Sequence, residues 1–163
     1  MNKQGHVLNA ILLAIGVGFV LEPSVTLATA EKIAQVSVPL VLGALFPDVD
    51  TAFGRHRKTL HSLPVLGVFL AFPILFGNLY FVWAGVLSHY VLDMVGSRRG
   101  IALFHPLSDR EFGAPSGVTT SSKYATLVTV IVTALEIAAF WAVHVYLLDL
   151  DVDPNAVTQA IGL

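Results

Sequence analysis

Between Pro47 and Ser62 the chain reads PDVDTAFGRHRKTLHS, and this stretch holds most of the side chains able to do chemistry. Asp48 and Asp50 stand two apart after a proline; His56 and His61 follow, with Arg55, Arg57 and Lys58 among them. Carboxylates and imidazoles are the ligand set for zinc, manganese or iron, so the stretch points first to a divalent metal site. Further along, His89 and Asp93 are four apart, a spacing that puts both on one face of a helix. They can hold one ion together, or Asp93 can orient His89 from behind. His6 stands near the start of the chain. Together His6, Asp48, Asp50, His56, His61, His89 and Asp93 exceed what one tetrahedral ion requires. Two ions, zinc or manganese, bridged by a carboxylate use them better, an arrangement suited to phosphoester hydrolysis by metal-activated water. Asp50 or Asp93 is then the candidate general base. Arg57, Arg98 and Arg99 are the candidates to hold an anionic group.

Each feature also has a plainer reading. His89 and Asp93 can be a helix-end hydrogen bond, and Asp48 and Asp50 can be turn formers that stop a helix. The basic residues can bind anionic headgroups or simply set membrane topology. Because Pro47 disfavours helical geometry at the residue before it, Phe46 is expected outside the α region, with both aspartates converging in a turn.

The scaffold that must position these residues is apolar. Of 163 residues, 55% are hydrophobic and 12% charged, and the mean hydropathy is +0.76. Soluble chains carry roughly 25% charged residues, so lipid is the expected solvent for much of the surface. The lack of cysteine excludes disulfides, thiolate metal ligands and a thiol nucleophile. A net charge of −2 gives no electrostatic case for nucleic acid as a partner. Apolar segments run over Val7–Leu21, Ile33–Phe46, Leu63–Phe76, Leu79–Asp93 and Tyr124–Leu148. Glu22-Pro23 ends the first, Glu31-Lys32 opens the second, Pro47 stops it, and Gly77-Asn78 reads as a tight turn. Met94–Lys123 reads as a polar loop, and Asp149, Asp151 and Asp153 mark an acidic tail. The expected fold is all-α: one domain over residues 1–163, a polytopic helical bundle of about five membrane-associated helices. A bilayer span takes about 20 residues, and only the fifth segment is comfortably long. Lys3, the apolar run and Ala28-Thr29-Ala30 imitate a signal peptide. The topology needs the first segment, so it is expected to be retained.

If each segment crosses once, Lys3, Arg55, Arg57, Lys58, Arg98, Arg99, Arg110 and Lys123 share one side and Lys32 alone the other. That bias places the N-terminus in the cytoplasm. The same topology gathers His6, Asp48, Asp50, His56, His61, His89, Asp93 and His105 at the cytoplasmic level; of the six histidines only His144 lies elsewhere. Glu136 falls inside the fifth segment, where a charge is expensive; it is expected to be protonated and paired with a hydroxyl or a backbone carbonyl of a neighbouring helix.

In order, Gly5-His6, GALFPDVD (Gly43–Asp50), HRKTLHS (His56–Ser62), GVLSHYVLD (Gly85–Asp93) and a loop with Gly100 and Pro106 resemble the inner-membrane-bound metal-dependent hydrolases, whose bacterial members include LexA-regulated proteins. A looser similarity, at the level of fold, is to zinc-dependent phospholipase C. The resemblance covers roughly residues 5–107 and implies that His6, Asp48, Asp50, His56, His61, His89 and Asp93 are metal or catalytic positions. Where the pattern leads one to expect an aromatic residue before Pro106, this chain has His105, either a further ligand or a replacement. The resulting expectation is an inner-membrane enzyme that hydrolyses a phosphoester or other ester of a lipid or membrane-proximal substrate. The alternative is a metal-binding or ion-transport protein without turnover.

Overall fold

A computed structural model describes residues 1–76, 80–115 and 117–148. It is all-helical, as composition and segment pattern predict: α1 is Lys3–Leu21, α2 Leu27–Leu45, α3 Leu63–Phe76, α4 Val82–Val91 and α5 Ala125–Val143. Three shorter pieces matter for the site or its frame: a 3₁₀ turn over Pro47–Ala52, a π turn over Leu92–Gly96 and another over His144–Leu148.

Helix α1 starts earlier than the apolar run because the Asn2 side chain accepts a hydrogen bond from the Gly5 N–H at 2.9 Å. This brings His6 into the first two turns. Helix α2 also begins earlier, at Leu27, so Glu31 and Lys32 lie inside it rather than opening it. The expectation for Phe46 is overturned. Its φ of −59° and ψ of −46° are helical, and Pro47 begins the 3₁₀ turn, a position where a missing N–H costs little. Helix α4 is shorter than its apolar run, because after Val91 the chain widens into the π turn that carries Asp93. Gly77, Asn78, Leu79 and the acidic tail lie outside the described residues.

Helix α2 packs against both α1 and α4, and α1 also packs against α5. Leu13, Ala14, Val17, Val36 and Leu40 form the α1–α2 core. Leu66, Val86, Tyr90 and Ile101 form a second cluster under α3 and α4. At two places the packing is backbone on backbone: a Cβ on Gly43 would lie 2.1 Å from the Val82 carbonyl oxygen, and one on Gly85 2.1 Å from that of Leu40. The segment after α4 is tied down rather than loose. Ile101 and Phe112 exchange backbone hydrogen bonds at 3.0 and 2.8 Å, and the Ala102 N–H donates to the Arg57 carbonyl at 2.9 Å.

Polarity is inverted relative to a water-soluble bundle. His6, Asn9, Asp50, His61, His89, Asp93, Thr129 and Thr133 are buried, while Ile11, Ile15, Phe19, Val38, Leu42, Ile74, Leu135 and Trp141 face outward. Helix α1, the stretch Leu27–Ala52 and the stretch Ala125–Tyr146 are long and apolar enough to cross a membrane. Helix α3 is apolar but shorter.

Candidate metal centre

Four pieces of chain converge at one end of the bundle. His6 comes from α1, Asp48 and Asp50 from the 3₁₀ turn, His56 and His61 from the loop before α3, and His89 with Asp93 from the end of α4. In the 3₁₀ turn both aspartates are buried while Val49 between them is half exposed. The tighter turn thus does what a straight α-helix could not for two residues spaced by two.

The side chains form two connected groups. In one, ligand atoms of His6, His89 and Asp93 lie within 4.8 Å of one another; in the other, those of Asp48, His56 and His61 do. His61 and His89 join them, Nε2 to Nε2, at 3.0 Å. Asp93 Oδ2 is 3.7 Å from His89 Nε2 and 3.9 Å from His61 Nε2, and Asp48 Oδ1 is 3.8 Å from His89 Nε2. His6 Nε2 is 3.4 Å from Asp93 Oδ1, and its ring stacks on that of His89 at 3.6 Å. Four ligands at bonds of 2.0–2.2 Å to a tetrahedral ion stand about 3.3–3.6 Å apart. The observed separations are of that order.

Hydrogen bonding fixes the tautomers. His89 Nδ1 faces the Ala44 carbonyl oxygen at 2.7 Å and must donate to it, so Nε2 carries a lone pair. His61 Nδ1 faces Asp50 Oδ2 at 3.0 Å and His56 Nδ1 faces Asp50 Oδ1 at 3.1 Å. Asp50 therefore stands behind both imidazoles and orients them, as a carboxylate behind a metal-ligating histidine does. The His61 and His89 lone pairs then point at each other, which is repulsive unless a proton or a cation lies between them. Both nitrogens of His6 and Asp93 Oδ2 are buried without a hydrogen-bond partner. Burial lowers the pKa of His61 below its usual value, against the pull of Asp50 and Asp93, which keeps it neutral and able to ligate. Orphaned donor atoms, facing lone pairs and an all-nitrogen and oxygen ligand set fit a divalent metal.

Arg57 is placed inside the protein rather than toward a substrate. It is 6% exposed, its Nη2 donates to Ser97 Oγ at 3.1 Å, and Nη1 donates to the carbonyls of Arg99 and Gly100. Its Nη2 lies 3.7 Å from Asp93 Oδ1, which the α-amino group of Met1 also touches. Arg98 and Arg99 are exposed, and Arg99 is forked onto Glu111 at 2.8 and 3.0 Å. Asp109 gathers Arg55, Lys58 and His105 at 3.1–3.3 Å, so His105 belongs to this surface network. Of the seven candidate ligands only His56 is open to solvent, its side chain 40% exposed. Sequence reasoning missed Tyr90, whose hydroxyl donates to the Leu60 and Ser62 carbonyls at 2.6 and 3.1 Å and so holds the His61 loop against α4. It also missed the Ala44 carbonyl. A tyrosine beside His89 was the available signal for the first; nothing in a sequence marks a backbone carbonyl.

The model of the YdjM inner membrane protein family matches residues 1–150, so the chain belongs to that family. The match takes in α5, beyond the motifs over residues 5–107. No curated protein and no solved structure matches the chain.

Proposed function

From membership of the YdjM inner membrane protein family, we propose that the chain is a membrane-bound metal-dependent hydrolase that cleaves a phosphoester or other ester of a lipid or membrane-proximal substrate. The observation that carries this reading is the convergence of His6, Asp48, His61, His89 and Asp93 with their ligating atoms unpartnered or facing one another. His6, His89 and Asp93 would hold one zinc or manganese ion, and Asp48, His56 and His61 a second. The metal, when bound, supplies Lewis acidity and activates water as the nucleophile.

The protein's own residues do the rest. Asp50 holds His56 and His61 in one tautomer, and Ala44 does the same for His89. Asp50 or Asp93, whichever keeps an oxygen free of ligation, would take the proton from the attacking water. His56 marks the open side through which substrate enters. The exposed Val49 and Phe53 precede it in sequence, which suits an amphiphile whose apolar part stays in the bilayer.

Topology follows from the same frame. Helices α1, α2 and α5 cross the membrane. The α3–α4 pair leaves from and returns to the site-bearing end, since the α3 start follows His61 and the α4 end carries His89. The cationic residues cluster at that end, so it faces the cytoplasm.

The test is metal analysis of the purified protein together with turnover of a chromogenic phosphodiester and of phospholipid vesicles after adding Zn²⁺ or Mn²⁺. Stoichiometric metal, lost in His89→Ala and Asp93→Ala together with turnover, is the expected result. Absence of metal from folded wild type sinks the metal centre. Metal without turnover favours the second reading, metal binding or transport without hydrolysis, which the polar pair Asn9 and Glu136 between α1 and α5 supports.

A further inference from the structure

Helices α1 and α5 meet through a polar seam outside the metal centre. On α5, Thr129, Thr133 and Glu136 follow at spacings of four and three and so lie on one face. Opposite them is Asn9, fully buried and one turn from His6 on α1. Asn9 Nδ2 donates one hydrogen to Thr133 Oγ1 at 2.9 Å and the other to Glu136 Oε2 at 2.6 Å. The threonine hydroxyls are already spent: Thr133 donates to the Thr129 carbonyl at 2.8 Å and Thr129 to that of Ala125 at 3.0 Å. Two buried atoms remain without partners, Asn9 Oδ1 and Glu136 Oε1. Both are acceptors, and no donor among the described residues is left for either.

We propose that Asn9 and Glu136 form a proton-binding site within the membrane, in which Glu136 holds a proton on Oε1 and donates it to Asn9 Oδ1. One added proton supplies the single donor that two acceptors lack. The pair then closes as an acid–amide ring with two hydrogen bonds, N–H to Oε2 and O–H to Oδ1. The ring is neutral, as a polar group in the apolar part of a bilayer must be to avoid a large desolvation cost. An ionised Glu136 would have one neutral amide as its partner. The titratable groups on the elements packed against this part of α5 are Lys3 and His6 on α1, Asp93 on the π turn after α4, and His144 and Tyr146 on the turn after α5 itself. Among the described residues, Asn9 is the hydrogen-bond partner of Glu136. Because Asn9 and His6 share α1, the ring fixes the height of α1 against α5 and with it the level of His6 at the metal centre.

Membranes holding the full chain are treated with a hydrophobic carbodiimide, which adds to protonated carboxyls, and the adduct is located by peptide mass spectrometry. Wild type is expected to label at Glu136, with the rate falling about tenfold per pH unit once the proton is lost. Glu136→Gln is expected to be unlabelled there yet to keep the wild-type melting temperature, since a glutamine amide completes the same ring. Glu136→Ala and Asn9→Ala are expected to melt lower. No adduct at Glu136, or a Glu136→Gln protein as unstable as Glu136→Ala, overturns the proposal. Protection of Glu136 by sodium at constant pH also overturns it, by making the site one for a metal cation.

Discussion

Arg57 shows how much one residue can do without touching a ligand's partner in chemistry. Its φ of 68° is in the left-handed region, and its guanidinium reaches from the His56–His61 loop to Ser97, Arg99 and Gly100 after α4. Arg57→Ala is predicted to cost about 3 kcal/mol, measured by thermal or denaturant unfolding in detergent, because several acceptors lose a charged donor together. Arg57→Lys is predicted to recover less than half of that, since an ammonium cannot make the forked contacts. Both variants are expected to lower metal content as Asp93 loses a neighbour. At this scale the chemistry was legible in part. Histidine and aspartate in that pattern pointed to a candidate metal site, because few other roles need that ligand set together, and the structure gathers them into two groups that could hold an ion. Arg57 among basic neighbours looked like a substrate contact, because its inward turn depends on carbonyls some 40 positions away.

The helices themselves were legible from runs of apolar residues, and their ends were not. Chain ends at the site follow the ligands: Pro47 starts a 3₁₀ turn that buries two aspartates, and the π turn after Val91 carries Asp93 inward. Those choices are made by tertiary contacts, which apolar periodicity does not encode. The packing of α2 on α4 was also hidden, although its cause is two glycines. Gly85→Ala and Gly43→Ala are each predicted to destabilise by about 2–3 kcal/mol, because a methyl group there meets a carbonyl oxygen on the facing helix rather than a movable side chain. The same variants are expected to weaken metal binding more than Gly67→Ala, whose added methyl meets nothing within 4 Å. Moving α4 from α2 takes His89 away from the Ala44 carbonyl that sets its tautomer, and parallel unfolding curves and metal titrations would show both effects.

Across the whole molecule, buried polar groups and an apolar exterior agree with a bundle solvated by lipid. The chain lacks cysteine, so single cysteines report sidedness without background. Val25→Cys, at a residue 95% exposed between α1 and α2, is predicted to react with a membrane-impermeant thiol reagent added to intact cells. Leu107→Cys, 94% exposed at the site-bearing end, is predicted to react only after permeabilisation. The reverse pattern would put the candidate metal site on the outer face. One further consequence follows from the dispersal of the ligands over α1, the 3₁₀ turn, the following loop and the end of α4. During synthesis His6 emerges first and Asp93 last, with three helices, α2, α3 and α4, and a turn in between. No shorter nascent chain holds the full set, so the His6, His89 and Asp93 group is complete only after α4 has docked on α2. Occupancy by the ion proposed for that group would then read out completed assembly: a chain with a misplaced helix would stay empty, and a late-captured ion would lock together segments that entered the bilayer at different times.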